Sequence, residues 1–149
     1  MILVKENKEK NRKVFKDIDG YIKVWGDIEP SWISHHVKLL REITPGTVED
    51  YGGNWIRYYE IEGIVCNTIE HTDDFIREIY GFCLESIEQT KPYVHGDWVL
   101  SNIIKKPDNT YTLIDWDNIG IYPEQEYIDK LHKDLHSAFG DRFYDATGI

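Results

Sequence analysis

The sequence predicts an α+β fold, and three observations predict it. Residues 1–61 break into short runs of β-branched and aromatic residues separated by turn residues. Residues 62–149 carry two long stretches with apolar residues at helical spacing. A polar segment, His95 to Asp117, interrupts those stretches and alternates like a hairpin.

Taken in order, Ile2–Lys5, Lys13–Lys16 and Tyr21–Trp25 read as strands, parted by the loop Glu6–Asn11 and the turn Asp17-Ile-Asp-Gly20. A helix follows. Ser31 after Pro30 is its expected cap, and Ile33, Val37 and Leu40, with Leu39 and Ile43, line one face. Thr44-Pro45-Gly46 ends it. Thr47–Tyr51 and Trp55–Ile61 then complete a five-stranded antiparallel sheet with one helix. In the second half, Glu62-Gly63 opens a linker and Thr72 caps a helix from about Asp73 to Gln89, its stripe being Phe75, Ile76, Ile79, Phe82, Cys83 and Ile87. Strands Ile103–Lys105 and Thr110–Ile114 flank a turn at Pro107-Asp108-Asn109. A last helix, about Glu124 to Phe139, turns Tyr127, Ile128, Leu131, Leu135 and Phe139 inward.

Composition narrows the function classes. At 149 residues the chain holds one domain's worth of core. A formal net charge of −10 disfavours non-specific nucleic-acid binding. The charge is uneven, with seven Lys/Arg against four Asp/Glu in residues 1–23. No apolar run reaches the ~20 residues of a membrane span. The opening Met1-Ile-Leu-Val-Lys5 is too short for a secretory h-region, so a cytoplasmic location is expected. Cys66 and Cys83 form no C-x-x-C pair and read as reduced thiols.

The most informative segment is His95-Gly96-Asp97-Trp98-Val99-Leu100-Ser101-Asn102 followed by Leu113-Ile114-Asp115-Trp116-Asp117. An Asp, an Asn five residues later, and a second Asp after an apolar pair suit phosphoryl transfer from ATP. Asp97 can take the proton of an attacking hydroxyl, while Asn102 and Asp115 offer hard oxygens to Mg²⁺. Asp117 either assists the metal or caps the next turn. No G-x-x-x-x-G-K-[ST] occurs, which excludes a P-loop.

This segment, with the order of elements, resembles the protein-kinase-like superfamily and, within it, the aminoglycoside phosphotransferase and choline kinase branch. The wording sets the branch: His95-Gly96-Asp97 with Asn102, and Leu113-Ile114-Asp115-Trp116-Asp117, look like H-G-D-x-x-x-x-N and I-D-W-[DE]. Tyr59-Glu60-Ile61-Glu62-Gly63 looks like that branch's hinge. The resemblance implies a two-lobed kinase-like fold in a single domain, 1–149, with an N-lobe of about 1–61 and a reduced helical C-lobe of about 62–149. It implies Asp97 as catalytic base, His95 as the brace of its loop, and Asn102 and Asp115 as Mg²⁺ ligands. It makes Lys23 the strand lysine on the α- and β-phosphates, and Tyr59, Glu60 and Ile61 the adenine-facing hinge. ATP–Mg²⁺ is then expected between the lobes, with a hydroxyl of a small molecule or glycan as acceptor.

Departures from the pattern are equally legible. The residue near the middle of the first helix, where the lysine's carboxylate partner is expected, is His36. Glu42 is the only acid inside that helix and lies at its C-terminal end, where the macrodipole disfavours it, so it stands as the candidate partner. The loop Glu6–Asn11 has no glycine, leaving Lys8 and Lys10 as its only cations. The helices that build an acceptor site in the resembled family are missing, which predicts a shallow acceptor cleft or one completed by a second copy of the chain. These departures keep a second reading open: a pseudokinase that binds nucleotide or scaffolds without turnover. His132 and His136, at i and i+4, could grip Zn²⁺, but Lys133 stands where a zincin has its Glu, and surface histidines are the expected reading.

Overall fold

The computed structural model describes residues 1–149 and divides into two compact units, Met1–Ile61 and Glu62–Ile149. The first unit is a five-stranded antiparallel sheet and one helix. Strands β1 (Ile2–Asn7), β2 (Arg12–Asp17), β3 (Gly20–Trp25), β4 (Val48–Tyr51) and β5 (Trp55–Tyr59) lie in the order β1-β2-β3-β5-β4. Helix α1 (Pro30–Ile43) packs on β4 and β5. Its apolar face, Ile33, Val37 and Leu40, is fully covered, and Ile56 of β5 and Val48 of β4 are buried as well. At the far edge of the sheet, Ile2, Leu3 and Val4 of β1 stay exposed.

One detail departs from the sequence reading. Helix α1 begins at Pro30, with Glu29 as N-cap and no side-chain cap bond, and Ser31 lies inside the first turn. Proline explains the shift: it has no N–H to satisfy, and its fixed φ suits the first helical position.

In the second unit, β6 (Ile64–Val65), β7 (Ile103–Lys105) and β8 (Tyr111–Leu113) form a three-stranded antiparallel sheet in that order. Helices α2 (Asp73–Thr90), α3 (Glu124–Phe139) and α4 (Arg142–Thr147) pack with one another. Thr72 caps α2 as expected, its hydroxyl accepting from the Phe75 N–H at 3.1 Å. Of the expected α2 stripe, Phe82 is only half-buried and lies against Tyr111, while Ser86 takes a covered place. Strand β6 and helix α4 were not read from the sequence. Two residues of strand are too few to show alternation, and α4 is a six-residue helix fixed by Phe143 and Ala146 packing inward. The core gathers Ile76, Ile79, Trp98, Ile103, Leu131, Leu135 and Phe143. No helix is long and apolar enough to cross a membrane.

Candidate active site

The loop leading to Asp97 is built from the inside outward. Val94 pairs with Gly120 through two backbone hydrogen bonds, of 2.9 and 3.1 Å, and delivers His95 to the interior, where it is 1% exposed. Its Nε2 lies 2.8 Å from the Ile114 carbonyl and its Nδ1 accepts the Asp97 N–H at 3.2 Å. A carbonyl can only accept and an amide N–H only donate, so the ring is the neutral tautomer with its proton on Nε2. Burial pushes the imidazole's pKa down, reinforcing that form. Trp116 closes the site edge-on, 4.6 Å between ring centroids.

Gly96 turns the chain with φ of +86°, and a Cβ there would come within 2.8 Å of the Asn118 carbonyl oxygen. Only glycine fits both the backbone angle and the space. Asp97 follows with its carboxylate partly exposed. Asn102 bridges back to it: its Nδ2 donates to the Asp97 carbonyl and to Asp97 Oδ2, each at 3.1 Å. The five-residue spacing is thus the span of one short turn, Leu100–Asn102 at its end being a single 3₁₀ turn.

The second half of the motif is fastened to the first through the backbone of one residue, Ile114. The Ile114 N–H donates to the Asn102 carbonyl at 2.8 Å, and the Ile114 carbonyl accepts from His95. Asp115 comes next with φ of +59°, a left-handed conformation that Asp tolerates better than most residues. Asp117 is half-buried two residues on. The structure therefore brings His95, Asp97, Asn102 and the backbone of Ile114, the residue before Asp115, into one hydrogen-bonded assembly.

Two members of this neighbourhood escaped the sequence reading. Asp134 of α3 is buried, and its Oδ2 accepts the Trp98 N–H at 3.1 Å, holding the loop from beneath. Lys130, one turn earlier, places Nζ 2.6 Å from both Asp134 oxygens and 3.9 Å from Asp97 Oδ1. The signal was available: Asp134 is a charge inside the apolar stripe of Leu131 and Leu135, and buried charges need partners.

In the first unit, Lys23 is buried in the middle of β3, paired in register with Val14 and Ile56. Its ammonium lies 5.7 Å from the Tyr58 ring centre and 5.9 Å from that of Trp25, within cation–π reach. Glu42 is exposed in the last turn of α1, whereas His36 is the buried mid-helix residue, stacked on Trp32 at 4.5 Å. In the segment expected as the hinge, the N–H groups of Tyr59 and Glu60 are already used, donating to the Thr47 and Asp19 carbonyls at 3.0 and 3.1 Å, and Glu60 pairs with Lys16. Ile61 is half-buried just beyond.

The β1–β2 hairpin closes on itself. Asn7 Oδ1 accepts the Lys10 N–H, the Asn11 N–H donates to Lys8, and Asn11 takes the left-handed φ of +49° that a glycine usually supplies. The two histidines of α3 are engaged separately: His132 with the Tyr80 hydroxyl at 3.1 Å, His136 with Asp141 at 3.0 Å. No group of three or more His, Cys, Asp or Glu side chains gathers as a ready-made metal cage.

With this geometry in hand, the fold is a protein-kinase-like one, reduced to a five-stranded sheet unit and a small helical unit. Among solved structures, the 2.2 Å crystal structure of WbdD, a bifunctional kinase-methyltransferase, matches with a TM-score of 0.65 at 16% identity, over 89% of this chain and 36% of WbdD. Choline kinase LicA from Streptococcus pneumoniae matches with a TM-score of 0.52 at 12% identity, over 99% of this chain and 75% of LicA. The chain thus spans about a third of WbdD's length. No protein-family model matches the chain, and no curated protein matches its sequence.

Proposed function

We propose that the two units work as one kinase-like domain that transfers the γ-phosphoryl group of ATP to a hydroxyl of a small molecule or glycan. The observation that supports this reading is the interlocked assembly of His95, Asp97, Asn102 and Ile114, which ties the Asp97 carboxylate to the Asn102 side chain and bonds the residue directly before Asp115 to both His95 and Asn102. Both kinase neighbours, WbdD and LicA, support it at the level of the fold.

Each residue then has a task. Asp97 accepts the proton of the attacking hydroxyl and, held by Asn102, keeps its carboxylate in place. His95 positions the loop rather than touching substrate. Lys23 neutralises the α- and β-phosphates. Because the amides of residues 59 and 60 are used within the sheet, adenine is recognised through groups at Ile61 and just beyond, with Tyr59 and Glu60 shaping the wall.

Both hydrogen bonds from the Asn102 side chain use Nδ2, so its Oδ1 is available as a hard ligand; with the Asp115 carboxylate, and Asp117 beside it, the donor set suits Mg²⁺. Mg²⁺ binds through one or two carboxylates plus substrate phosphates, so no preformed cage is required. When bound, the ion neutralises charge on the phosphates.

Titration calorimetry tests the reading. We expect Mg²⁺-dependent ATP binding, weakened about tenfold or more by Asp115→Asn, equivalent to about 1.4 kcal/mol or more. Absence of ATP binding with Mg²⁺ present overturns the enzyme reading.

One observation favours a second reading, a nucleotide-binding or scaffolding module without turnover. The β1–β2 turn spends its Lys10 and Asn11 amides on its own hairpin and has no glycine to let a backbone approach phosphate. ATP binding with no Asp97-dependent phosphate release in any acceptor screen would select it.

A further inference from the structure

We infer that Lys130 is a catalytic residue that donates to the γ-phosphoryl group during transfer; this rests on the phosphotransferase reading of Asp97. The starting point is charge. Asp97 and Asp134 place two carboxylates on either side of one ammonium, with Nζ 2.6 Å from each oxygen of Asp134 and 3.9 Å from Asp97 Oδ1. A phosphoryl group brought to the base must approach a carboxylate, and the cation beside that carboxylate is Lys130. The ammonium end is reachable, the side chain being 43% exposed while Asp134 beneath it is 9% exposed.

Its anchor is also tied to the loop. Asp134 Oδ2 accepts the Trp98 N–H, the amide next to Asp97, so the carboxylate that holds Lys130 is in register with the base. A lysine on a flexible four-carbon stem can swing from Asp134 to a phosphoryl oxygen without moving the helix. Lys130 and Asp134, at i and i+4 on α3, therefore present a cation to the loop from a rigid element.

In the step itself, the acceptor oxygen bonds to the γ-phosphorus as its proton passes to Asp97. The bond from the γ-phosphorus to the bridging oxygen breaks, and its electron pair leaves on ADP. Lys130 forms no covalent bond; it donates a hydrogen bond to a peripheral γ-oxygen as charge spreads over the phosphoryl group. The plainer role for Lys130 is that of counter-ion to a buried Asp134, and the two roles differ in what they move.

The test uses the full chain, with water as acceptor for slow ATP hydrolysis, and Mg²⁺–ADP with aluminium fluoride as a transition-state probe measured by calorimetry. The expected result for Lys130→Met is a fall of about 100- to 1000-fold in turnover. A similar loss of affinity for the aluminium fluoride complex should accompany it at a temperature where the variant is fully folded, with Mg²⁺–ADP affinity unchanged; the melting temperature itself should fall, because Asp134 loses its counter-ion. Lys130→Arg should restore most of both losses. Unchanged turnover and probe affinity in Lys130→Met overturn the inference while leaving the phosphotransferase reading intact. So does a lowered melting temperature that accounts for both losses and is not relieved in Lys130→Gln. A wild-type chain that binds no Mg²⁺–ATP overturns the underlying reading and this inference with it.

Discussion

The two units hold their candidate residues by different physical means. In the second, His95, Asp97, Asn102 and Ile114 are fixed by hydrogen bonds that each specify a partner and a direction, and Gly96 and Asp115 take left-handed backbone angles to permit it. In the first, Lys23 owes its place to strand register and to aromatic neighbours, and the adjacent hairpin is closed by its own asparagines. A base and metal ligands demand placement to a fraction of an ångström, which directional bonds supply. A cation beside phosphates needs proximity more than direction, which burial in a strand supplies.

The comparison is most strongly challenged at Asp97. Asp97→Asn keeps the size and the link to Asn102 but removes the proton acceptor. Turnover should fall by about 10²–10⁴-fold, with Mg²⁺–ATP affinity nearly unchanged, as phosphate-release kinetics and calorimetry would show. Equal turnover in the variant would reduce the interlocked loop to a structural feature.

The next largest effect separates strain that serves the site from strain that does not. Gly96 and Gly46 share almost the same φ, +86° and +84°, but a Cβ meets a carbonyl at 2.8 Å in the first and nothing within 4 Å in the second. Gly46→Ala should cost about 1–2 kcal/mol for the backbone alone. Gly96→Ala should cost about 1–3 kcal/mol more for the steric overlap, and it alone should reduce turnover. Urea denaturation of both variants measures the difference.

The smallest effect concerns His95. Its pKa is lowered in the folded protein, chiefly by burial, so below about pH 6.5 the unfolded chain takes up a proton that the native ring resists. Stability should therefore decline as pH falls from about 6.5 toward the depressed folded pKa, by at most about 1.4 kcal/mol per pH unit. Melting curves of the wild type and His95→Asn across this range should diverge, the variant having lost this contribution to the slope.

Much of the fold was legible because its signals are local. Alternation marked all five strands of the first unit, Thr72 marked the start of α2, and the stripe Tyr127, Ile128, Leu131, Leu135 and Phe139 marked α3, although Tyr127 and Ile128 in its first half are only half-buried. The members of the candidate site within 95–117 were legible for the same reason: the chain itself carries their spacing. The links of Lys130 and Asp134 to the loop were not: a charge inside the apolar stripe signals that Asp134 needs a partner, but that Asp134 meets the Trp98 N–H 36 residues away, and Lys130 meets Asp97, is set by tertiary packing and by no spacing. The use of the Tyr59 and Glu60 amides escaped notice likewise, since sheet register decides it.

The doubly bonded backbone of Ile114 has a consequence of its own. Its N–H is bonded to Asn102 and its carbonyl to His95, so the loop bearing the proposed base cannot open without releasing both. Deuterium uptake at that single amide would thus time the opening of the whole assembly. A bound nucleotide that slows it would report occupancy even where no acceptor has been found and no product can be assayed.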